Sequence, residues 1–366
     1  MHNPFKFGSI VDDEHFINRN SEIEKVKSIL KSANHFILIS PRRYGKTSLI
    51  IKVAKMLKRP YIFLDMQLIT SLSDFAAQLL KRVYKKFPLQ KVKDLIKNFR
   101  IAPAISLNPV TNEIDITYKA SSVQSAQTAL EDVLNLVEKL GSEKKRPIVV
   151  LDEFQEIKRI GADADKFLRS VIQHHKNINY VFLGSQESLI RNIFVNKKSP
   201  FYHFGYLMPL NKIPAGDFLN FLNSKFRQIT NKYESVSSSI IKITGSHPYY
   251  TQQLAFTVWE ILIKNRNEKD PVQNAVTELV RHHDIDYERL WNTLNRIDMK
   301  ILIGMSDSDI TPLSAEFINK YETGATSTVY SSIKRMLQNG FLIKSDNDYG
   351  FDDPFFKQWI IARRLK

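Results

Sequence analysis

The residues best suited to chemistry form one short run near the amino terminus. It reads Ser40-Pro41-Arg42-Arg43-Tyr44-Gly45-Lys46-Thr47 and is followed by Ser48. This run matches the phosphate-binding pattern G-x-x-x-x-G-K-[ST], except that its first glycine is replaced by serine. Gly45 would let the backbone approach the phosphates, Lys46 would neutralise them and Thr47 would ligate Mg²⁺. A serine at position 40 is tolerable if its φ stays negative, so we expect a working ATP/ADP site formed by all nine residues.

A second run supplies the carboxylates that such a site needs. The apolar segment "PIVVL" ends in Asp152 and Glu153, as in a Walker B strand. Asp152 would hold the water shell of Mg²⁺, and Glu153 would polarise the attacking water. The alternative is that the pair only caps the following helix. Because binding alone does not require Glu153, its presence argues against a decayed site.

A third candidate lies after the next apolar run. "FLGSQES" places Ser185 and Gln186 at the end of a predicted strand. Ligands of open parallel sheets bind at this edge, so either side chain could orient water or contact the γ-phosphate. The alternative is that they cap a helix that begins near Glu187.

The pattern of apolar residues predicts the elements that must position these side chains. Continuous apolar runs are typical of strands buried on both faces of a parallel sheet. They occupy residues 35–40, 61–66, 147–152 and 180–185, with a weaker one at 205–210. Helical periodicity between them, at 46–57, 72–87, 128–140 and 165–175, indicates a doubly wound α/β domain.

The rest of the chain predicts three further features. Alternation around an Asn-Pro-Val-Thr-Asn turn indicates a β-hairpin insert at about 104–118. After Pro214 the pattern becomes helical, with a break at "TGSHP". From Trp291, three helices precede two short strands, which is typical of a winged helix. We therefore expect a P-loop domain at 1–210, a helical lid at 211–290 and a winged helix at 291–366.

Taken in order, these features resemble the AAA+-like P-loop ATPases of the archaeal and bacterial ATPase group, relatives of the STAND ATPases and of origin-recognition initiators. "FINRNSEIEKV" is similar to the F-x-x-R-x-x-E box of that group, which lies against adenine. The resemblance therefore implies that Phe16, Ile17 and Arg19 lie near the base. "GSHP" resembles a lid motif that meets the nucleotide in STAND proteins. It would bring His247 or Pro248 to the site, although His247 could simply cap a helix.

Two departures from the family pattern concern arginine. Initiators have a second-sensor arginine in the lid, and "TGSHPYYTQQLA" has none. Relatives often have an arginine where this chain reads "SPFYHFG", which leaves Arg191 and His203 as fallback candidates. An arginine finger accelerates hydrolysis by about 10³-fold or more. We therefore expect slow hydrolysis, and a switch that is a monomer or a weak oligomer.

Charge and composition bound the partners. The net charge of +15 would attract polyanions, including nucleic acid. Residues 291–366, however, hold 10 Lys and Arg against 9 Asp and Glu, so +14 of the charge lies upstream. Lys334 and Arg335 are the one basic pair on the predicted recognition helix, and the wing tip Asp346-Asn347-Asp348 is acidic. This favours a protein partner for the winged helix over DNA.

Three functions stay open from the sequence. They are an ATP-dependent switch, a DNA-binding initiator-like ATPase, and a nucleotide-binding protein without turnover. The absence of cysteine excludes disulfides and thiolate metal sites. No apolar run is long enough to span a bilayer. We expect a cytoplasmic protein with no membrane partner.

Overall fold

The structure is a computed structural model that describes residues 2–10, 15–107, 114–345 and 348–365. The turn of the predicted hairpin insert and wing-tip residues 346 and 347 lie outside the described residues. Nine strands are described: β1 (Phe36–Ile39), β2 (Tyr61–Asp65), β3 (Ala104–Leu107), β4 (Ile114–Thr117), β5 (Ile148–Asp152), β6 (Asn179–Gly184), β7 (Tyr206–Pro209), β8 (Leu342–Ser345) and β9 (Asp348–Phe351).

The helices follow in chain order. Eight lie among the first seven strands: α1 (Asn20–Lys31), α2 (Lys46–Met56), α3 (Leu72–Lys86), α4 (Leu89–Ile96), α5 (Val123–Leu140), α6 (Ile157–Ile160), α7 (Ala164–Ile172) and α8 (Glu187–Phe194). Nine come after β7: α9 (Ala215–Phe226), α10 (Tyr233–Thr244), α11 (Pro248–Lys264), α12 (Pro271–His282), α13 (Asp284–Asn292), α14 (Arg296–Asp307), α15 (Ala315–Tyr321), α16 (Thr326–Gln338) and α17 (Pro354–Arg364).

A five-stranded parallel sheet organises the first half of the chain. Its strand order is β2-β5-β6-β1-β7, and every neighbouring pair is parallel. The strands β1 and β6 are buried along their whole length, which explains why their sequences are continuously apolar. Parallel strands need crossover connections, and the helices between them supply these. The predicted P-loop fold is confirmed.

The described residues form two compact units. One contains residues 19–211, with the parallel sheet and its own hydrophobic core. The other contains the amino-terminal segment up to residue 18 together with residues from 212 onward. In this second unit the helices after β7 and the winged-helix elements share one hydrophobic cluster. The predicted three-domain division stays a prediction.

Several predicted elements are found with adjusted limits. The weak strand at 205–210 is present as β7, and β3 pairs with β4 in an antiparallel hairpin. Helix α5 begins five residues before the predicted start at 128, because Ser122 accepts a hydrogen bond from the backbone of Ser125 and forms a capping box. The helices α1, α4 and α17 have no counterpart among the predicted elements. None of the described helices is long and apolar enough to cross a membrane.

Candidate nucleotide site

The three candidate motifs meet because their strands are neighbours in one parallel sheet. The phosphate-binding run follows β1, Ser185 follows β6, and Asp152 closes β5. In the sheet, β6 lies between β1 and β5. Carboxyl ends of parallel strands share one edge, so all three motifs lie there.

Lys46 is the first residue of α2, and its side chain is held in place before any phosphate arrives. Its ammonium donates hydrogen bonds to the carbonyls of Ser40, at 2.9 Å, and of Pro41, at 3.1 Å. Burial lowers the pKa of Lys46, while the carboxylates of Glu153 and Asp152 act in the opposite direction. A preorganised cation therefore lies at the amino-terminal end of α2, which Gly45 precedes.

The loop's backbone explains its glycine pattern. Gly45 has φ +88° and Arg43 has φ +66°, both in the left-handed region. Ser40 is not among the described residues with positive φ, so a serine is tolerated there. The side chains of Arg42 and Arg43 are exposed, whereas those of Tyr44 and Ser48 are buried.

A hydroxyl and a carboxylate form the candidate Mg²⁺ site. Thr47 Oγ1 donates a hydrogen bond to Asp152 Oδ2 at 3.1 Å. Burial and the neighbouring Glu153 raise the pKa of Asp152, and Lys46 opposes them. Mg²⁺ prefers oxygen ligands and commonly takes one or two from protein, with the rest from phosphate and water. The two residues fit this ion.

Glu153 is held by three hydrogen bonds to one oxygen. Its Oε2 accepts from Ser185 Oγ at 2.6 Å, from the Ser185 backbone N–H at 3.2 Å and from Gln155 Nε2 at 2.6 Å. Burial would raise the pKa of Glu153, but these hydrogen bonds and Lys46 outweigh it, so the pKa lies below its usual value. The side chain is therefore a carboxylate at neutral pH, as a water-polarising group must be.

Tight packing at Gly184 brings the end of β6 close to Glu153. A Cβ on Gly184 would lie 2.1 Å from Ile190 Cγ1 and 2.9 Å from Gln155 Oε1, so this position needs glycine. Gln186, by contrast, is the N-cap residue of α8 without a side-chain capping bond, and it is exposed. The side chain that joins Ser185 at Glu153 is Gln155.

Arg19 connects the phosphate-binding loop to Asn211, the last residue of the unit that contains the parallel sheet. Its guanidinium donates to the carbonyl of Tyr44 at 3.2 Å and to that of Asn211 at 2.9 Å, and it pairs with Glu22 at 2.8 Å. It is 4 % exposed, and burial lowers its pKa. Three oriented acceptors make this arginine part of the loop's support.

The other predicted binding residues belong to the second compact unit. Phe16 is half-buried, and Ile17 is buried in that unit's core. His247 is the N-cap of α11, where its Nδ1 accepts from the Tyr249 N–H at 3.2 Å, and Pro248 is the first residue of that helix. His247 is thus a buried helix cap. That these four residues meet the nucleotide stays a prediction.

The fallback cations have other environments. Arg191 pairs with Glu187 one turn away on α8 and is 45 % exposed. His203 is exposed, has φ +54° and stacks on Tyr202. Neither is among the described contacts of Lys46, Asp152 or Glu153.

Three contributors to the site were missed from the sequence. Gln155 contacts Glu153, while Glu22 and Asn211 hold Arg19. Glu22 is the acidic position of the "R-x-x-E" box, so the motif offered a signal for it. Nothing local marks Gln155 or Asn211, because their partners are set by the turn after β5 and by the path of the chain.

Comparisons with known families agree with this geometry. Residues 16–254 match a family described as an ATPase domain predominantly from Archaea, and residues 285–362 match a probable winged helix domain. An uncharacterised ATP-binding protein of Pyrococcus abyssi is 26% identical over 190 residues. That alignment covers 49% of this chain, and the chain spans about half of the relative's length (52%).

Solved structures share the fold across almost the whole chain. A Walker-type ATPase of Pyrococcus abyssi superposes with a TM-score of 0.67 at 17% identity, covering 95% of this chain and 97% of its own. The Aeropyrum pernix ORC2 protein, in ADPNP–ADP complexes, gives 0.55 at 13% identity over 99% and 100%. The ORC1 protein of the same organism, in complex with DNA, gives 0.51 at 13% over 96% and 93%. The expected resemblance to origin-recognition initiators is confirmed at the level of fold.

Proposed function

Because the chain belongs to the family of ATPase domains found predominantly in Archaea, we propose that it binds ATP with Mg²⁺, hydrolyses it slowly and uses the bound nucleotide as a conformational switch. The proposal rests on the arrangement of Lys46, Thr47, Asp152 and Glu153 at one edge of the sheet. Relatives of similar fold are described with ADPNP and ADP, which supports ATP as the ligand.

The side chains divide the work as follows. Lys46 exchanges its two carbonyl partners for phosphate oxygens, which are stronger acceptors because they are charged. Thr47 and Asp152 would hold Mg²⁺, which neutralises the charge of the β- and γ-phosphates when bound. Glu153 orients and polarises the attacking water, since its carboxylate is ionised and its position is fixed by Ser185 and Gln155.

Slow turnover follows from what the chain lacks for charge stabilisation. The charge that builds on the transferred phosphoryl group is commonly stabilised by an arginine, which contributes about 10³–10⁵ in rate. The segment "SPFYHFG" and the lid motif "TGSHPYYTQQLA" contain no arginine. With the base present and this cation absent, we expect turnover on the order of once per minute or slower, as in unassisted GTPases.

Arg19 is the observation that supports a switch. It joins the Tyr44 carbonyl in the phosphate-binding loop to the Asn211 carbonyl, where the chain leaves its unit. A shift of the loop on exchange of ATP for ADP would therefore reach the covalent connection to the second unit. A ligand moves such an equilibrium only by its differential affinity for the two states, and γ-phosphate contacts provide one.

The winged helix is proposed to contact a protein and not DNA. Within α16, Arg335 donates to buried Asp298 of α14 at 2.7 Å, and Ser332 donates to the same carboxylate at 2.5 Å. This leaves Lys334 as the unpaired base on the described helix. Phosphate neutralisation dominates DNA affinity, so one lysine is a weak basis for it.

Limited proteolysis tests the switch. We expect cleavage near residues 205–215 to differ between the ATP- and ADP-bound protein when Glu153→Gln is used to preserve ATP. Arg19→Gln should reduce this difference while ATP binding, measured by calorimetry, persists. Lys27→Gln, which removes a charge from α1, the helix that follows Arg19, should leave the difference intact. Identical cleavage in both nucleotide states of the parent would contradict the switch.

Steady-state hydrolysis tests the rate. The expected rate per molecule is low and independent of protein concentration, and Lys46→Ala should abolish nucleotide binding and turnover together. Turnover of many per second that rises steeply with concentration would show that a neighbouring subunit provides the missing cation. The protein would then be an oligomeric machine.

A further inference from the structure

A basic cleft lies at the edge of the sheet opposite the nucleotide site. Its walls come from the segments that enter β1, β2 and β5, and amino ends of parallel strands share one edge. The cleft has a volume of about 470 Å³. Its six bases are Lys31, Lys58, Arg59, Lys144, Lys145 and Arg146. Glu143 is the one acid among its described lining residues, so the lining has a net charge of +5.

Two arginines form a rigid floor for this cleft. The Arg59 guanidinium donates to the carbonyls of Leu30 and Arg146 and to the side chain of Asn179. Arg146 donates to the carbonyls of Lys176 and Glu143, at 2.8 and 2.9 Å. The bonds of Arg59 connect the segment before β2, in which it lies, to the segments before β1 and β5. Burial and the neighbouring Arg146 lower the pKa of Arg59 to about 10, so its charge remains at neutral pH.

The lysines at the rim are exposed and have no described ion pair. Lys31, Lys58, Lys144 and Lys145 lie on the surface. Over the described ranges, none of their ammonium groups forms an ion pair with a carboxylate. Lys58 has φ +51°, an uncommon conformation for a residue with a side chain. Four exposed cations around a hydrogen-bonded floor suit an anion that supplies several charges.

Helix dipoles do not account for so much charge. The helices α1, α2 and α5 end near this edge, and each carboxyl end is equivalent to about −0.5 charge. Three such ends amount to about −1.5, which leaves roughly +3.5 of the lining charge without a counterpart. Cations clustered at this density attract a polyanion.

We propose that this cleft binds the phosphate backbone of a nucleic-acid duplex, at a site separate from both the nucleotide site and the winged helix. The shape is a cleft built from three segments, which suits a phosphodiester strand better than a flat bilayer surface. No aromatic side chain is among its described lining residues, and stacking on such rings is what single strands require. Arg59 and Arg146, the side-chain type that most often reads guanine, already donate to protein acceptors, and no Asn or Gln is among the described lining residues, so the sequence of bases should matter little.

Fluorescence anisotropy with a labelled duplex of about 20 base pairs tests this proposal, with the salt concentration varied. The test variant combines Lys58→Ala, Lys144→Ala and Lys145→Ala in the full chain. The slope of log affinity against log salt is negative, and each lost phosphate contact makes it shallower by about 0.9. We expect the slope to become shallower by about 2 to 3, and the affinity at about 0.1 M salt to fall at least tenfold. DNA and RNA duplexes, which share this backbone chemistry, should both respond.

Matched variants make the result decisive. Lys91→Ala, Lys93→Ala and Lys119→Ala together remove three exposed lysines from elsewhere in the same unit, and they should leave the affinity unchanged. Unchanged ATP binding by calorimetry would show that the cleft variant is folded. The proposal is overturned if the control triple or Lys334→Ala weakens duplex binding as strongly as the cleft variant. It is also overturned if the parent protein binds phosphatidylserine vesicles and no duplex, or binds neither.

Discussion

At the scale of single residues, Glu153 combines an unusual backbone with a crowded side chain. Its φ and ψ are +50° and +45°, a left-handed conformation that costs a residue with a Cβ about 1 kcal/mol or more. The conformation is retained because one carboxylate oxygen accepts from Ser185 and Gln155. Local strain is thus offset by hydrogen bonds to a charged group, which are worth about 1.5–3 kcal/mol each.

Removing the Ser185 hydroxyl should change how hydrolysis depends on pH. Burial raises the pKa of Glu153 and hydrogen bonds from Ser185 and Gln155 lower it, with the net result below the usual value. In Ser185→Ala one of these hydrogen bonds is lost while the carboxylate stays buried, so the pKa of Glu153 rises. The carboxylate is then lost at a higher pH as acid is added. In single-turnover experiments, the acid limb of the pH–rate profile for hydrolysis should therefore move to higher pH than in the parent protein.

Ser188→Ala provides the control for that measurement. Ser188 is exposed on α8, three positions from Ser185, and has no described contact with Glu153. Its acid limb should coincide with that of the parent. A Ser185→Ala profile that also coincides with the parent would mean that another group, such as Asp152, sets the limb.

Candidate residues can be named from the sequence where a motif specifies them, and not where only the fold brings them together. The sequence points to Lys46, Thr47, Asp152, Glu153 and Ser185 because each lies at the end of a strand whose apolar run is visible, or in the segment that follows one. The contact between Ser185 and Glu153 depends on β6 lying beside β5, which no single segment encodes. Gln155 was missed because the turn after β5, and not a motif, brings its amide to Glu153.

At the scale of elements, one buried carboxylate fixes the packing of the winged helix. Asp298 of α14 is 3 % exposed and accepts from Ser332 and Arg335 of α16. A buried charge requires such partners, because its desolvation is costly. The sequence suggested Arg335 as a surface base of a recognition helix. Its partner could not be foreseen, since Asp298 and Arg335 meet only when the two helices cross.

Asp298→Asn should loosen this pair of helices. The substitution keeps the shape of the side chain but removes the charge that orients Arg335, which should cost about 2 kcal/mol. Hydrogen exchange in α14 and α16 should become faster, with little change in the strands of the parallel sheet. Asp309→Asn, at an exposed position just after α14, is the matched control and should exchange like the parent. Equal protection in both variants would contradict the proposed role of Asp298.

At the scale of the whole molecule, the amino-terminal segment packs with helices that lie more than 200 positions away in sequence. Phe5 is 2 % exposed, and its ring contacts those of Phe226, Trp259 and Phe221, with centroids 5.1, 5.9 and 6.0 Å apart. The sequence placed this segment in the first domain because it precedes the first strand. Its membership of the second unit depends on long-range contacts that local patterns do not report.

Phe5→Ala should therefore weaken the second unit. Truncating a buried phenylalanine costs about 3–5 kcal/mol. We expect faster hydrogen exchange in α9 and α11, where the contacting rings lie, and unchanged exchange in β1, β5 and β6. Phe7→Ala should have a smaller effect, because Phe7 is only half-buried against Tyr249 and Phe256. Faster exchange confined to the parallel sheet would show that the segment belongs to the first unit instead.

The position of Phe5 also orders events during synthesis of the chain. Trp259, against which Phe5 packs, is made 254 residues after Phe5. At about 5–20 residues per second, the wait lasts roughly 12 to 50 seconds. Residues 19–211 are complete during that interval and can fold around their own core. The side chain of Phe5 therefore lacks its packing partner Trp259 while the parallel sheet can form, and the aromatic cluster of the second unit is completed only after α11 has been made.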